Sequence, residues 1–140
     1  MAFVPKMKKA SAPIDTIIQA LENDDRVIFA YLYGSATKDG KAKDIDIAVY
    51  AKGQVDPNQL SADLKISLHK LSGLPPDVFD IRVLNNIIAH GDIFALLYLK
   101  NVLTDSILLI DKHPEARSDF LEHYGWRFRE CEGLMEELLA

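Results

Sequence analysis

The chain has 140 residues, of which 49% are hydrophobic and 26% charged, and its formal net charge is −5. That length supports one hydrophobic core, and the acidic balance argues against a protein that grips nucleic acid through a broad basic face. A single cysteine excludes an internal disulfide, and no apolar run reaches the roughly 18 residues that a membrane span needs, so a cytoplasmic protein is expected.

Residues 1–12 read as a flexible lead-in whose basic residues have no apolar run behind them, unlike a signal peptide. A helix is expected from Pro13, a favoured first-turn residue, through Ile14, Ile17, Ile18 and Leu21, closing at Asn23-Asp24-Asp25. Val27 to Tyr33 is β-branched and aromatic and reads as a strand. Gly34 then allows a sharp turn and leaves no Cβ between the chain and an approaching ligand. Ser35 adds a hydroxyl, and the amides of such a turn suit an anion such as phosphate. The connecting loop carries Lys38, Lys41 and Lys43, each read either as solvated or as reaching a polyphosphate.

The stretch Asp44-Ile45-Asp46-Ile47-Ala48-Val49 alternates with period two, so Asp44 and Asp46 share one strand face and the isoleucines the other. Two carboxylates about 7 Å apart repel each other and gain nothing from burial. Divalent cations remove that objection, because hard oxygen ligands at this spacing can share a pair of Mg²⁺ ions. A bare Asp-x-Asp can also be a solvated strand end; the Gly-Ser turn ahead of it tips the balance toward metal binding.

Further on, Asp56-Pro57 forms an N-cap and first turn, Leu60, Leu64, Leu68 and Leu71 form an apolar stripe, and Gly73 ends the helix. His69 lies off that stripe and reads as a surface residue. Pro75-Pro76 leads into a strand over 77–84, where Phe79, Ile81 and Val83 share the core face and Asp80 and Arg82 the other. If this strand neighbours the first acidic one, Asp80 joins Asp44 and Asp46 as a third metal-binding carboxylate; an ion pair with a basic neighbour is the other reading. Residues 86–103 read as a helix buried on more than one side and bent near Gly91, with His90 structural. Ile107 to Ile110 is a continuous apolar run that reads as a fully buried strand. The last element is a long helix over 114–139, with a stripe of Phe120, Tyr124, Phe128, Cys131, Met135 and Leu138. Cys131 reads as a core residue, and Trp126, off the stripe, as part of a partner surface or of a wider buried face.

Gly34-Ser35, eight intervening residues, and Asp44-Ile45-Asp46 together resemble the signature of the DNA polymerase beta-like nucleotidyltransferase superfamily. With one domain over 1–140, the short chain resembles the minimal nucleotidyltransferases, the MntA-like antitoxins of HEPN/MNT toxin–antitoxin systems. Its loop between Ser35 and Asp44 is shorter than the family usually has. The resemblance implies an α/β fold, a small mixed sheet with helices packed on one face. It also implies a Mg²⁺-dependent enzyme that transfers AMP from ATP to a protein hydroxyl, a tyrosine of a cognate HEPN toxin. Asp44, Asp46 and Asp80 would then be catalytic and metal-binding, with two Mg²⁺ ions, and Asp80 would favour loss of the acceptor's proton. Gly34 and Ser35 would hold the nucleotide; Arg82, on the face of Asp80, is a candidate phosphate contact on its charge and position alone. No direct nucleic-acid or membrane partner is implied. The alternatives are a catalytically silent module that neutralises its partner by occlusion, and a nucleotidyltransferase acting on a small molecule.

Overall fold

The structure is a computed structural model, and it describes residues 12–34, 44–90 and 93–139. The elements run α1 (Ala12–Glu22), β1 (Val27–Tyr33), β2 (Ile45–Ala51), α2 (Pro57–Ser72), a 3₁₀ turn (Pro76–Val78), β3 (Phe79–Val83), α3 (Asn85–His90), α4 (Ile93–Thr104), β4 (Ser106–Asp111) and α5 (Pro114–Leu139). The expected lead-in, the basic loop with Ser35, and the bend at Gly91 lie outside the described residues.

Local chemistry accounts for the element ends. The Asp56 carboxylate accepts from the amides of Asn58 at 2.9 Å and Gln59 at 3.4 Å, satisfying donors that the first turn of α2 leaves open. Gly73 takes φ 78° and its amide donates to the carbonyl of His69, a left-handed cap that a side chain would disfavour. The α2 stripe is shorter than its periodicity suggests: Leu60, Leu64 and Leu68 are buried, while Leu71, at the edge of the packed face, is exposed. His69 is on the surface, with Nδ1 2.8 Å from the carbonyl oxygen of Leu74.

The four strands are ordered β3-β2-β1-β4, with β1 antiparallel to both neighbours and β2 parallel to β3. The parallel pair requires a crossover, and α2 supplies it. At the far end of this pair, the Asn85 side chain clasps the backbone of Ala51, accepting from its amide at 2.9 Å and donating to its carbonyl.

The sheet is covered on both faces rather than on one. Leu32, Ile47, Val49 and Ile81 pack against Ile17 and Leu21 of α1 and Leu60, Leu64 and Leu68 of α2. On the opposite face, Phe29, Tyr31 and Ala48 pack against Leu99 and Val102 of α4 and Phe120 of α5. The reason lies in β1, which is aliphatic or aromatic at every position and so is best buried on both faces. Its side-chain parity is reset by an irregularity between Val27 and Phe29, which lets those two residues serve opposite cores. Phe29 anchors the second core, stacked on Tyr50 at 4.9 Å and edge-on to Phe120 at 5.5 Å.

The apolar run in β4 is not fully buried. Leu109 is 8% exposed, but Ile107 and Leu108 are each 40% exposed, because β4 is an edge strand with a partner on one side only. In α5, Phe120 is buried, Tyr124, Phe128 and Cys131 are half-buried, and Trp126 is exposed. The side chains of Met135 and Leu138 are outside the described residues.

A charged cluster ties the end of α1 to α2. Arg26 donates to Asp24 through Nε at 2.9 Å and Nη2 at 2.7 Å, and to Asp63 through Nη1 at 3.0 Å. The Arg26 side-chain bond is the largest cause holding the Asp24 carboxyl below the ordinary aspartate range. A group with a depressed pKa stabilises the fold above its unfolded pKa and loses that contribution as pH falls through the folded value. Asp24→Asn is therefore expected to lower stability at pH 7 by about 1–2 kcal/mol, a bidentate charged bond discounted for partial exposure. Urea denaturation should show the gap to wild type closing below about pH 4; an equal gap at pH 7 and pH 3 would rule this out.

Candidate active site

The parallel pairing of β2 and β3 sets Ile45 opposite Phe79, Asp46 opposite Asp80 and Ile47 opposite Ile81. Because the side-chain period of a strand is two, that register places the Asp46 and Asp80 carboxylates side by side on the face of the second core. Asp46 also lies opposite Tyr33 at the end of β1, one residue before the turn at Gly34. Asp44 occupies a bend just before β2, so it precedes the strand face instead of sharing it, and it is exposed.

Gly34 has φ +80°, and a Cβ built there would stand 2.5 Å from Oδ2 of Asp46. The space left by the missing side chain is thus taken by the carboxylate of Asp46, a more specific role than a tight turn. Ser35, the other nucleotide-binding candidate, lies outside the described residues.

The electrostatics follow from this crowding. Burial, then the negative charges of Asp80 and Asp44, push the Asp46 carboxyl above the ordinary aspartate range, against a smaller opposing effect of Arg82. Arg82 follows Asp80 by two residues on the same face, and its Nε is 3.7 Å from Asp80 Oδ2. Its guanidinium carbon is 5.5 Å from the ring centroid of Tyr98 on α4, a cation–π contact. Tyr98 and Tyr33 meet hydroxyl to hydroxyl at 2.8 Å, with rings edge-on at 5.9 Å. Burial raises both phenols, so both remain neutral at physiological pH.

The two tyrosines are the part of this arrangement that the sequence did not offer. Strand parity puts Tyr33 on the face of Asp46, a usable signal. Tyr98 carried none, being one apolar-looking residue of a nearly all-apolar helix.

Among the described residues, no three His, Cys, Asp or Glu side chains gather into a group able to hold a metal ion alone. The donor set nevertheless fits Mg²⁺, which is commonly held by one or two carboxylates and completed by substrate phosphates and water. The in-register pair Asp46 and Asp80 supplies such carboxylates, and the raised Asp46 carboxyl marks an excess of negative charge that a cation would relieve.

A four-stranded mixed sheet layered with helices, carrying paired carboxylates beside a glycine turn, has the architecture of a polymerase beta-like nucleotidyltransferase. The family model for polymerase beta nucleotidyltransferases matches residues 15–115, and the chain belongs to that family. No functionally curated protein matches the sequence. Among solved structures, a chain of the tri-AMPylated Shewanella oneidensis HEPN toxin in complex with MNT antitoxin is similar at TM-score 0.58 and 20% identity, covering 94% of this chain and 99% of that one. A toxin–antitoxin structure with AMP-PNP is similar at TM-score 0.59 and 20% identity, covering 91% and 98%. An MntA toxin–antitoxin mutant with two aspartates changed to glutamate gives TM-score 0.58 at 18% identity, covering 91% and 98%. Among the described residues, no helix is long and apolar enough to cross a membrane.

Proposed function

We propose that the protein is an antitoxin that transfers AMP from ATP to a tyrosine hydroxyl of a cognate HEPN toxin. The observation that carries the reading is the register of Asp46 against Asp80, with Gly34 opened to admit the Asp46 carboxylate. The likeness to an AMPylated toxin–antitoxin complex supports a protein acceptor, and the likeness to a complex with AMP-PNP supports an adenine nucleotide.

In this reading Asp44, Asp46 and Asp80 would hold two Mg²⁺ ions, which would supply the positive charge that the polyphosphate and the attacking and leaving oxygens need. The acceptor oxygen attacks the α-phosphorus in line, the bond from that phosphorus to the bridging oxygen breaks, and pyrophosphate leaves. Asp80 favours loss of the hydroxyl proton; its side chain is 48% exposed, open enough to meet an acceptor from another protein. Gly34 and Ser35 cradle the polyphosphate. The setting is cytoplasmic, with neither nucleic acid nor membrane as a direct partner.

Intact mass spectrometry of the co-expressed partner tests the reading. The toxin should gain mass in whole adenylate units, only with ATP and Mg²⁺, at a tyrosine near its ribonuclease site, where an added anion blocks RNA. The Asp44→Ala protein should still bind the toxin yet leave it unmodified and toxic. Protection by that variant equal to wild type would mean neutralisation by occlusion, and transfer to a small molecule would leave the toxin's mass unchanged.

A further inference from the structure

The two tyrosines and Arg82 form a connected set around the carboxylates that the reaction above does not use. Arg82 follows Asp80 by two residues and so projects from the same face of β3. Its ion pair with Asp80 is long at 3.7 Å, with side chains 57% and 48% exposed, and such a pair does little to fix a guanidinium. The Tyr98 ring is the stronger constraint, because it comes from a different element and is itself held. Its body packs into the second core, and its hydroxyl bonds to Tyr33, which stands opposite Asp46. The chain of contacts therefore runs from Asp80 through Arg82, Tyr98 and Tyr33 back to Asp46, using three strands and α4.

An arginine whose flat side rests on an aromatic ring keeps its N–H fork free for a planar or polyoxyanion partner. Beside two carboxylates that attract a metal-bound polyphosphate, the partner of matching chemistry is a phosphate oxygen. We propose that Arg82 is a phosphate-binding residue of the nucleotide site and that Tyr98, anchored by Tyr33, is its positioning residue. The proposal rests on the nucleotidyltransferase reading above and adds to it the residue pair that selects a phosphorylated ligand.

Calorimetric titration of the full chain with α,β-methylene ATP and Mg²⁺, and separately with adenosine, tests it. Arg82→Gln should weaken binding of the ATP analogue about tenfold or more, the worth of a charged hydrogen bond, and Arg82→Lys should recover part of that loss. Adenosine, which has no phosphate, should bind both proteins alike. Tyr98→Leu should weaken the analogue about two- to fivefold, and Tyr98→Phe, which keeps the ring, should stay within about twofold of wild type. The discriminating measurement is the double variant Arg82→Gln/Tyr98→Leu, which should be no weaker than Arg82→Gln alone, since Tyr98 acts through Arg82. Additive losses would reduce Tyr98 to a packing residue and overturn the assignment, as would unchanged analogue binding in Arg82→Gln. A wild-type protein that binds no ATP analogue at all would instead overturn the nucleotidyltransferase reading beneath it.

Discussion

Asp46→Asn is expected to abolish nucleotidyl transfer while leaving the metal-free protein as stable as wild type or more so. The loss of activity should be at least about a thousandfold, since the carboxylate is asked to help supply several kcal/mol of charge stabilisation. The stability effect has the opposite sign because of how the carboxyl is placed. Its pKa is raised by burial and by Asp80 and Asp44, so the folded state holds the Asp46 proton more tightly than the unfolded chain does. The stability from a raised group is fully present below its unfolded pKa and is lost as pH rises through the folded one. At pH 7 the ionised Asp46 therefore works against folding, and an amide removes that cost. Melting curves without Mg²⁺ should show the variant at or above wild type at pH 7, with the advantage gone below about pH 4. Adding Mg²⁺ should stabilise wild type more than the variant. A fully active Asp46→Asn protein, or one that melts well below wild type at neutral pH without metal, would contradict this role.

The same pair shows how much of the site was legible in the chain itself. Period-two parity places Asp80 and Arg82 on one face of their strand, but the adjacency of the two acidic strands stands in the sequence only as a condition, and it is the parallel pairing across the α2 crossover that meets it. Parity within a segment is fixed by backbone geometry, so it survives into the fold. Where the strand begins is set by pairing, and this is why Asp44 falls in a bend while Asp46 sits in the ladder. The second core is not part of the expected fold, which has helices on one face; a β1 that is aliphatic or aromatic at every position is its one signal in the sequence, and which helices cover it is not written there. Leu99, Val102 and Phe120 reach it from elements about 70–90 residues further along the chain, and periodicity does not report on such distant pairings. The exposure of Ile107 and Leu108 has the same origin, since edge position is a property of strand order.

Gly34→Ala is expected to damage the site more than the fold. An alanine at φ +80° carries a left-handed strain of about 1–2 kcal/mol, or roughly 3–8 °C in melting temperature. The new Cβ would also stand 2.5 Å from Oδ2 of Asp46, closer than a Cβ and a non-bonded oxygen tolerate. The backbone of β1 cannot retreat easily, because Tyr33 is laddered between Asp46 on β2 and Ser106 on β4. The group able to move is the flexible end of Asp46, which must rotate away from its place beside Asp80. Misplacing a reacting group by about an ångström costs on the order of a hundredfold in rate, so transfer should fall by about that factor or more. Metal affinity should fall with it, while circular dichroism keeps the wild-type spectrum at 25 °C. Gly34→Val, with a bulkier β-branched side chain in the same left-handed position, should be worse in both respects. The comparison that decides is with Gly73→Ala, where φ is +78° but nothing lies within 4 Å of the added Cβ. That variant should show the same loss of melting temperature with full activity. If the two glycine variants lose activity alike, backbone strain alone is responsible, and the contact between position 34 and Asp46 has no part in the site.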